Sequence, residues 1–399
     1  MKVLGIETSC DETAAAVVES AGRRRLKLLS NVVASSVDLH AAFGGVVPEI
    51  AARSHIESII PVIDKALRDA FGENRNQKLE NSKKSKLIAN SQLLIPQSDD
   101  LWSQIDAIAV TQGPGLLGSL LIGVLTARTL AIAKNKPVYA VDHVQAHIYA
   151  AFLTEKANSS QLTAISLNNK QPEFPILALI VSGGHTQLVL MKSHMNYQVL
   201  GQTTDDAVGE AFDKVAKMLG LPYPGGQSVA RVATKGNPHA FKFPKAKFDN
   251  VIGSTYHTNA YPFSFSGLKT AVLRVAQEQS GHDYTFPSTK LPEALNETQK
   301  ADIAASFQYI AIETLVESLK KAEKEFQPNS IVIAGGVAAN QLLRQTVAKK
   351  FAKTPVFFPD IKLCTDNAAM VASLGYFKAA IKQKPADPYS LEVNPGLSM

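Results

Sequence analysis

The sequence predicts an α/β protein made of two similar halves that face each other across a cleft. Residues 2–20 and 175–193 each place two apolar stretches around a short polar turn, a pattern typical of a β-hairpin. Residues 105–133 and 329–351 each run from an apolar strand through a glycine-rich loop into a helix. Because the same order of elements occurs twice, we interpret the chain as an internal duplication. A ligand is expected in the cleft.

The composition is that of a globular protein with room for two cores. The chain has 399 residues, of which 45% are hydrophobic and 19% are charged. Its most apolar run, around residues 116–133, is interrupted by Gly118, Gly123 and Arg128, and no signal or transit peptide is visible. Two cysteines cannot form a disulfide framework. We therefore expect a cytoplasmic protein that has no contact with a membrane.

The first hairpin opens a predicted first domain of residues 1–141, and the second predicted domain covers residues 142–376. Residues 377–399 form a C-terminal tail that is expected to pack on the first domain or to remain extended. Two segments, about residues 72–100 and 155–173, are rich in Asn, Gln, Ser and Lys and lack periodicity, which predicts exposed insertions. The formal charge of +6 and the pI near 9.0 suit an anionic partner such as RNA, or simply a slightly basic surface.

Three glycine-rich loops follow predicted strands: Gly113–Ser119, Val181–His185 and Ala334–Asn340. Glycine lets backbone N–H groups approach an anion closely, and the start of a following helix adds its positive dipole end. A single loop of this kind is often only a tight turn, but three in one duplicated chain indicate a nucleotide ligand. The chain has no Walker motif and no G-x-G-x-x-G after its first strand, which argues against a P-loop NTPase and a dinucleotide enzyme.

Two histidines, His143 and His147, stand four residues apart in the segment Asp-His-Val-Gln-Ala-His. In a helix this spacing puts both imidazoles on one face, about one turn apart, where they can bind the same metal ion. Two helical histidines at this spacing are more often ordinary packed or surface residues. The segment by itself leaves both interpretations open.

Ten motifs connect the chain to a known family, and they occur in order from residue 3 to about residue 376. They are GIETSCDET, HAAFGGVVPEIAARSH, GPGLLGSL, DHVQAH, VSGGHTQL, DDAVGEAFDK, YPGG, FSFSGLKTAV, GGVAAN and CTDNAAM. With them the chain resembles the universal tRNA N6-threonylcarbamoyladenosine transferase family. The spellings VDLHAAFGGVVPE and CTDNAAM resemble the bacterial and organellar branch, and the lack of a presequence favours a bacterial member.

The resemblance implies the actin, hexokinase and heat-shock ATPase fold, in agreement with the duplicated halves. It also implies that the threonylcarbamoyl group of L-threonylcarbamoyl-adenylate moves to N6 of the adenosine beside the anticodon, in tRNAs that read codons starting with A, and that AMP leaves. The exocyclic amine of adenine is a poor nucleophile because its lone pair is delocalised into the ring. A metal Lewis acid that activates the carbonyl is therefore expected.

The family's metal ligands and acidic residue can be matched position by position. His143 and His147 match the two histidine ligands, and Asp366 matches a carboxylate ligand that is expected to come from the other half of the molecule. The resemblance implies one divalent ion per subunit, with iron(II) favoured over zinc, and a catalytic role for Asp366 through that ion. Glu12, in the turn of the first hairpin, matches an acidic residue of the active site, which predicts a general acid–base or water-ordering role.

The substrate-binding residues follow from the same resemblance. The loop that binds phosphate and the threonylcarbamoyl group, and the positions that bind the nucleoside, are matched by Val181, Ser182, Gly183, Gly184, His185, Asp213, Gly226 and Asn340. The family commonly has an aspartate where Ala230 stands here, so a ribose contact is missing or is supplied by Gln227 or Ser228. His40 and His55 are interpreted as structural or partner-facing.

The resemblance implies partners as well as a substrate. The RNA partner is the anticodon arm of tRNA. Bacterial members work with a shorter actin-fold homologue and a small P-loop ATPase, whereas organellar members act as homodimers, and the sequence does not choose between these arrangements. Cys10 and Cys364 neighbour proposed site residues, but small buried cysteines are the commoner case and no chemistry is assigned to them.

Three other classes of function fit the sequence less well. A zinc protease needs a glutamate directly after the first histidine, where this chain has Val144. A sugar or acyl kinase of the same fold would place an aspartate base near the phosphates and would use magnesium in place of a two-histidine site. A catalytically inactive scaffold would lack the ligands that this chain has.

Overall fold

A computed structural model describes residues 1–20, 25–41, 43–72, 99–156, 171–246 and 260–399 of the chain. Most of both predicted insertions, about residues 72–100 and 155–173, lies outside the described residues. The described strands are β1 (Lys2–Glu7), β2 (Glu12–Ser20), β3 (Leu26–Ser35), β4 (Ala107–Gly113), β5 (Val138–Asp142), β6 (Leu153–Lys156), β7 (Ile176–Val181), β8 (Thr186–Ser193), β9 (Asn196–Gln202), β10 (Ser330–Ala334) and β11 (Val356–Phe357).

The α-helices in the same ranges are α1 (Val37–Ala41), α2 (Pro48–Phe71), α3 (Asp99–Ser103), α4 (Leu117–Ala133), α5 (His143–Tyr149), α6 (Val208–Met218), α7 (Gly225–Ala233), α8 (Ser266–Gln279), α9 (Leu291–Ala294), α10 (Glu297–Phe326), α11 (Gln341–Lys350) and α12 (Ala368–Ala380). None of these described helices is both long enough and apolar enough to cross a membrane. The longest, α10, begins with a capping box in which Asn296 and Gln299 each accept a hydrogen bond from the other's backbone N–H.

The chain divides into two compact units that do not follow the predicted domain boundaries. Unit 1 comprises Met1–Ser36, Val46–Ala164 and Asp366–Ser398, and unit 2 comprises Val37–Gly45, Ile165–Thr365 and the last residue, Met399. Residues 142–156 fall in unit 1, where β6 pairs with β3 of the first sheet. The segment from Asp366 falls there because α12 packs on β1 of that sheet.

Unit 1 is built on a six-stranded sheet with the order β5-β4-β1-β2-β3-β6. The first three strands form an antiparallel meander, and β4 and β5 extend it in parallel from β1. Alternate residues of β1 point to opposite faces. Leu4 and Ile6 join a core cluster with α2 and α4, whereas a Cβ added to Gly5 would lie 2.3 Å from Ala368 O of α12. Helices therefore cover both faces of this sheet.

Unit 2 repeats the arrangement in a five-stranded sheet with the order β11-β10-β7-β8-β9. Strands β7, β8 and β9 form the meander, and β10 and β11 extend it in parallel from β7. The core of unit 2 joins Leu177 and Leu179 of β7 to helices α6, α8 and α10, with Phe212 and Phe307 in edge-to-face contact at 4.9 Å. The predicted duplication of an α/β half is confirmed.

The C-terminal tail lies against the rest of unit 1, and one arginine makes several of the contacts. Arg128 of α4 donates hydrogen bonds to three tail carbonyls, those of Pro388 at 2.7 Å, Tyr389 at 2.8 Å and Leu391 at 3.2 Å. The Leu391 side chain is buried in the core cluster of the unit. Because a planar guanidinium offers several donors in fixed directions, one side chain can hold four residues of irregular backbone.

Candidate functional site

The two histidines lie at the start of helix α5, which begins directly after strand β5. The Asp142 side chain caps the helix by accepting a hydrogen bond from Gln145 N at 2.9 Å. This cap places His143 at the first helical position and His147 one turn later, with ring centroids 4.8 Å apart. Both side chains are buried, with relative exposures of 7% and 1%.

Asp366 stands just before helix α12, whose start is capped by Asn367 through Met370 N at 3.1 Å. Asp366 Oδ1 lies 3.5 Å from His143 Nε2 and 3.5 Å from His147 Nε2. The structure thus brings the three predicted metal ligands together. The expectation that Asp366 comes from the other half of the molecule is not met, because all three residues belong to unit 1.

The residues at this point fit a divalent cation. Both ring nitrogens of His147 are buried and have no hydrogen-bond partner among the described residues. Buried polar atoms without partners are costly, and a metal ion would satisfy Nε2. Two imidazoles and one carboxylate leave coordination positions open and suit iron or zinc. Ligand atoms 3.5 Å apart can share one ion, because each bond to zinc is about 2.0–2.2 Å long.

The environment of His143 carries a surplus of negative charge. Its Nδ1 lies 3.2 Å from Glu7 Oε2 and 3.1 Å from Ser9 Oγ. Burial opposes the charged imidazolium, but the carboxylates of Asp366 and Glu7 outweigh burial and raise the pKa of His143 to about 9.

Glu7 is the residue near the metal ligands that sequence reasoning missed. It is fully buried at the end of β1. Burial alone would raise its pKa, but the charge and hydrogen bond of His143 outweigh burial and lower the pKa below its usual value. A signal was present in the sequence, since a carboxylate that ends the otherwise apolar strand KVLGIE needs a buried partner.

Glu12 lies at the start of β2 in the same unit. Its Oε1 accepts a hydrogen bond from Ser35 Oγ at 2.8 Å, and its Oε2 is buried with no hydrogen-bond partner among the described residues. Burial, together with the nearby carboxylates of Asp11 and Asp366, raises the pKa of Glu12 to about 7. A carboxyl group with this pKa can exchange a proton with a reacting group near neutral pH.

The Val181–His185 loop lies in unit 2, between β7 and β8. Ser182 N donates to His185 O at 2.8 Å and His185 N donates to Ser182 Oγ at 3.1 Å, which closes a tight turn. A Cβ added to Gly183 or Gly184 would have no neighbouring atom within 4 Å. Behind the turn, a Cβ on Gly209 would lie only 2.5 Å from Ser182 O. The turn therefore packs closely against Gly209 on the side of Ser182 O, whereas the Cβ positions of Gly183 and Gly184 face open space.

The predicted nucleoside-binding residues lie in the same unit as this loop. Asp213 of α6 accepts hydrogen bonds from Gly225 N at 2.7 Å and from Gly226 N, at the start of α7. Burial raises the Asp213 pKa despite these bonds. Gly226 has open space at its Cβ position. Asn340 caps α11 through Leu343 N at 3.1 Å and donates from Nδ2 to Gln308 Oε1 at 2.8 Å.

The glycine turn after β10 packs against the Val181–His185 loop. Gly335 has a φ of 92°, and a Cβ there would lie 2.4 Å from Val181 O. The loops after β7 and β10 thus meet at the carboxyl ends of neighbouring parallel strands, the usual place for a ligand of an α/β sheet.

The third glycine loop differs from the other two because the chain itself fills it. A Cβ on Gly113 would lie 1.8 Å from the Asn394 O of the tail. Gly115 N donates to Pro395 O at 3.3 Å, and Leu116 N donates to Ser9 O at 2.8 Å. The prediction of an anion site in the Gly113–Ser119 loop is wrong. These glycines allow close packing of backbone on backbone.

Two of the remaining residues singled out from the sequence, Ser228 and His55, form hydrogen bonds within the protein. Ser228 is buried and donates to Gly225 O at 3.1 Å, so of the two proposed replacements for the ribose contact only Gln227 is exposed. His55 is buried between Thr13 Oγ1 at 2.7 Å and Cys10 O at 3.0 Å. His40 is buried as well. Burial raises the pKa of the Cys10 and Cys364 thiols, which disfavours the reactive thiolate.

Comparison with known proteins agrees with this geometry. The model of a family described as tRNA N6-adenosine threonylcarbamoyltransferase (TsaD) matches residues 27–76 and 92–373. The chain is 44% identical over 387 residues to the protein of that name from Thermomicrobium roseum, covering 95% of this chain and 92% of the relative. It is 41% identical over 402 residues to the protein of that name from Bacillus subtilis, covering 100% of this chain and 96% of the relative.

A solved structure shares the fold at low sequence identity. Full-length HypF, crystallised in a phosphate- and nucleotide-bound form, matches with a TM-score of 0.51 and 12% identity. The match covers 96% of this chain and 56% of the HypF chain. This likeness concerns the duplicated actin-like α/β architecture.

Proposed function

Because the chain belongs to the tRNA N6-adenosine threonylcarbamoyltransferase family, we propose that it moves a threonylcarbamoyl group from L-threonylcarbamoyl-adenylate to N6 of the adenosine beside the anticodon. The tRNAs concerned are those that read codons starting with A, and AMP is the second product. The observation that carries the proposal is the meeting of His143 and His147 with Asp366, at 3.5 Å for each pair, in a chain of this family.

The reaction exchanges one bond for another at the carbamoyl carbon. The N6 lone pair attacks this carbon, the bond from the carbon to the phosphate oxygen of AMP breaks, and AMP leaves with the electron pair. N6 must lose a proton, and Glu12, with a pKa near 7, is the residue that we assign to accept it. A divalent ion held by His143, His147 and Asp366 would supply Lewis-acid activation of the carbonyl.

The substrate side of the proposal rests on unit 2. We assign the phosphate of the adenylate to the open turn at Gly183 and Gly184, where no side chain keeps an oxyanion from the backbone N–H groups. Asp213 and Asn340 are assigned to the nucleoside. Since their side chains also hold the starts of α7 and α11, they present those helix N-termini to the ligand as well.

The test combines metal content with transfer of labelled threonine to tRNA. His143→Ala, His147→Ala and Asp366→Ala should each lose bound metal and lower the rate by at least about 100-fold, because Lewis-acid activation is worth several kcal/mol. Glu19→Gln, on β2, is the matched control and should keep both. Restored metal should restore transfer and create no peptidase activity, because Val144 stands where a protease has its glutamate. Full transfer by a demonstrably metal-free protein would refute the Lewis-acid role.

A cellular test needs no knowledge of the partner proteins. A strain that carries this gene as its only copy should contain threonylcarbamoyladenosine in its tRNA, and nucleoside analysis of that tRNA reports it. Replacement by the Asp366→Ala gene should remove the modified nucleoside. Unmodified tRNA in the first strain would contradict the proposed activity.

For partners, we propose the anticodon arm of tRNA together with either a shorter actin-fold homologue and a small P-loop ATPase, or a second copy of this chain. Support for a protein partner comes from the exposed Ile56 of α2 and from an apolar strip on α4 of unit 1, formed by Leu117, Leu121 and Leu125. Their relative exposures are 60%, 61%, 42% and 44%. The three leucines follow one helix face at intervals of four residues, a spacing typical of helix pairing.

This proposal is tested by sedimentation of the purified protein alone and with candidate partners. Leu121→Asp combined with Leu125→Asp should abolish association, whereas Ile361→Asp, at an exposed apolar position of unit 2, should not. Association that survives the double substitution would exclude the strip as the pairing surface.

A further inference from the structure

Glu7 is a fully buried carboxylate whose hydrogen bonds connect strand β1 to one metal-ligand candidate. Its Oε1 accepts a hydrogen bond from Ser9 N at 2.6 Å, and its Oε2 accepts one from Thr111 Oγ1 at 2.5 Å. The same Oε2 lies 3.2 Å from His143 Nδ1. A buried carboxylate is costly unless its oxygens are satisfied, and His143 Nδ1 lies within hydrogen-bonding distance of Oε2 beside Thr111.

Binding of a divalent ion through Nε2 requires one tautomer of His143. Its Nε2 faces Asp366 Oδ1 at 3.5 Å, and its Nδ1 faces Glu7. A neutral imidazole has one N–H. With the proton on Nδ1, the ring donates to Glu7 and the lone pair of Nε2 is free for a metal. With the proton on Nε2, that ligand is lost and the Nδ1 lone pair meets a carboxylate.

Ser9 cannot make this selection. Its Oγ is 3.1 Å from His143 Nδ1, but a hydroxyl group both donates and accepts, so it tolerates either tautomer. An ionised carboxylate only accepts. Thr111 and the backbone N–H of Ser9 hold the Glu7 carboxylate in place, so its oxygen cannot turn away from the ring.

We propose that Glu7 is a positioning residue that keeps the His143 proton on Nδ1 and so presents Nε2 to the divalent ion. The inference rests on the proposed metal-dependent function. It makes the two histidine ligands unequal, because both ring nitrogens of His147 lack a hydrogen-bond partner among the described residues. His143 is then the ligand that is oriented before the metal binds. Groups that orient a metal-ligand histidine in this way typically change metal affinity by about 10–100-fold.

The first readout is zinc affinity of the purified full chain, measured by competition with a chelator. Glu7→Gln keeps the shape and a neutral acceptor, and it should weaken zinc binding by about 10-fold. Glu7→Met removes the acceptor at similar volume, and it should weaken binding by about 100-fold. His147→Ala marks the loss of a direct ligand. Glu19→Gln, whose carboxylate on β2 lies 3.9 Å from Lys2 Nζ, should bind zinc like the unaltered protein.

The second readout is nitrogen-15 NMR of the zinc-loaded protein. If the role of Glu7 were merely structural, replacing Glu7 would leave the His143 ring signals unchanged. The unaltered protein should show a slowly exchanging proton on His143 Nδ1, and Glu7→Met should lose its protection. Should Glu7→Met fail to fold, Glu7→Gln decides the question. Folded Glu7 variants that bind zinc as tightly as the unaltered protein overturn this inference and leave the proposed function standing. An unaltered protein that binds no metal overturns both.

Discussion

At the scale of single residues, the sharpest prediction concerns the open turn at Gly183 and Gly184. Gly184→Val places a branched side chain in the space that we assign to phosphate, while leaving the fold intact, because no atom lies within 4 Å of the new Cβ. Transfer should fall at least about 100-fold, since a blocked oxyanion position removes several hydrogen bonds to a charged group. The measurement is turnover beside a thermal unfolding curve.

The matched control for this change is Gly396→Val in the C-terminal tail. Gly396 also has no atom within 4 Å of its Cβ position, so both variants add the same side chain to open space. Only the variant at position 184 should lose activity. Normal turnover by a well-folded Gly184→Val protein would remove the Val181–His185 loop from the site.

A second residue-scale prediction follows from the Glu12 pKa of about 7. Because the folded-state pKa lies above the usual 4.5, the folded protein binds more protons, and stability falls as pH rises from about 4.5 through 7. Glu12→Gln stays neutral, so it should gain stability relative to the unaltered protein across this range. A full shift corresponds to about 3 kcal/mol; because Glu12 is only partly buried, we expect about 1–2 kcal/mol above pH 7.

Denaturant unfolding at pH 5 and at pH 8 measures this effect. Ser35→Ala serves as the opposite control, since it removes the hydroxyl that donates to Glu12 Oε1 at 2.8 Å and should make the loss above pH 7 larger. Equal stability changes for Glu12→Gln at both pH values would contradict the raised pKa.

Sequence reasoning finds residues whose chemistry is local and misses those whose partners are remote. The spacing of His143 and His147 indicated a shared face, because one helical turn relates them. The sequence does not predict a role for Glu7, because that role depends on contacts with His143 and Thr111, each more than 100 residues away. Asp366 was assigned by resemblance, since nothing in the linear sequence places it beside a histidine 223 residues earlier (366 − 143).

At the scale of elements, Asn340 separates a structural role from a binding role. Its side chain caps α11 at Leu343 N and donates to Gln308 Oε1. Asn340→Ala should therefore lower the free energy of unfolding by about 1–2 kcal/mol. Asn340→Asp keeps the cap but cannot donate, so it should cost less stability. If Asn340 also binds the nucleoside through its amide, both variants should weaken AMP binding similarly; weaker AMP binding by the Ala variant alone would assign Asn340 to the cap.

The elements themselves were predicted where periodicity is strong. Both hairpins and both strand–loop–helix segments occur at the expected positions, because buried strands and amphipathic or apolar helices have distinct patterns. The pattern did not distinguish the Gly113–Ser119 loop from the loop after β7. The first is filled by Asn394 and Pro395, and the second is open. A glycine shows that something approaches closely, but the sequence does not say whether that is a ligand or the chain's own tail.

At the scale of the whole molecule, the sequence predicts the duplication but does not predict where the boundary between the two units lies. A repeated order of elements shows in the sequence, whereas the unit to which a helix belongs depends on long-range packing. Helix α12 follows unit 2 in the chain, but it packs on β1, so Asp366 joins the unit of His143 and His147. All three candidate ligands, with Glu7 and Glu12, thus belong to unit 1, and the open turn with Asp213 and Asn340 belongs to unit 2.

This division predicts which part of the molecule a metal should stabilise. A ligand that binds only the folded state adds about 2.7 kcal/mol at a concentration of 100 times its dissociation constant. Since all three ligands belong to unit 1, the gain should appear in the unfolding of that unit.

Trp102 is the single tryptophan of the chain, and it is buried in the unit 1 core with Leu4 and Ile6, so its fluorescence reports this transition. We expect zinc to raise the midpoint seen by Trp102 by roughly 5 °C. A chelator should reverse the gain, and Asp366→Ala should abolish it. If zinc leaves the midpoint seen by Trp102 unchanged in a protein that is shown to bind zinc, the metal binds outside the cluster of His143, His147 and Asp366.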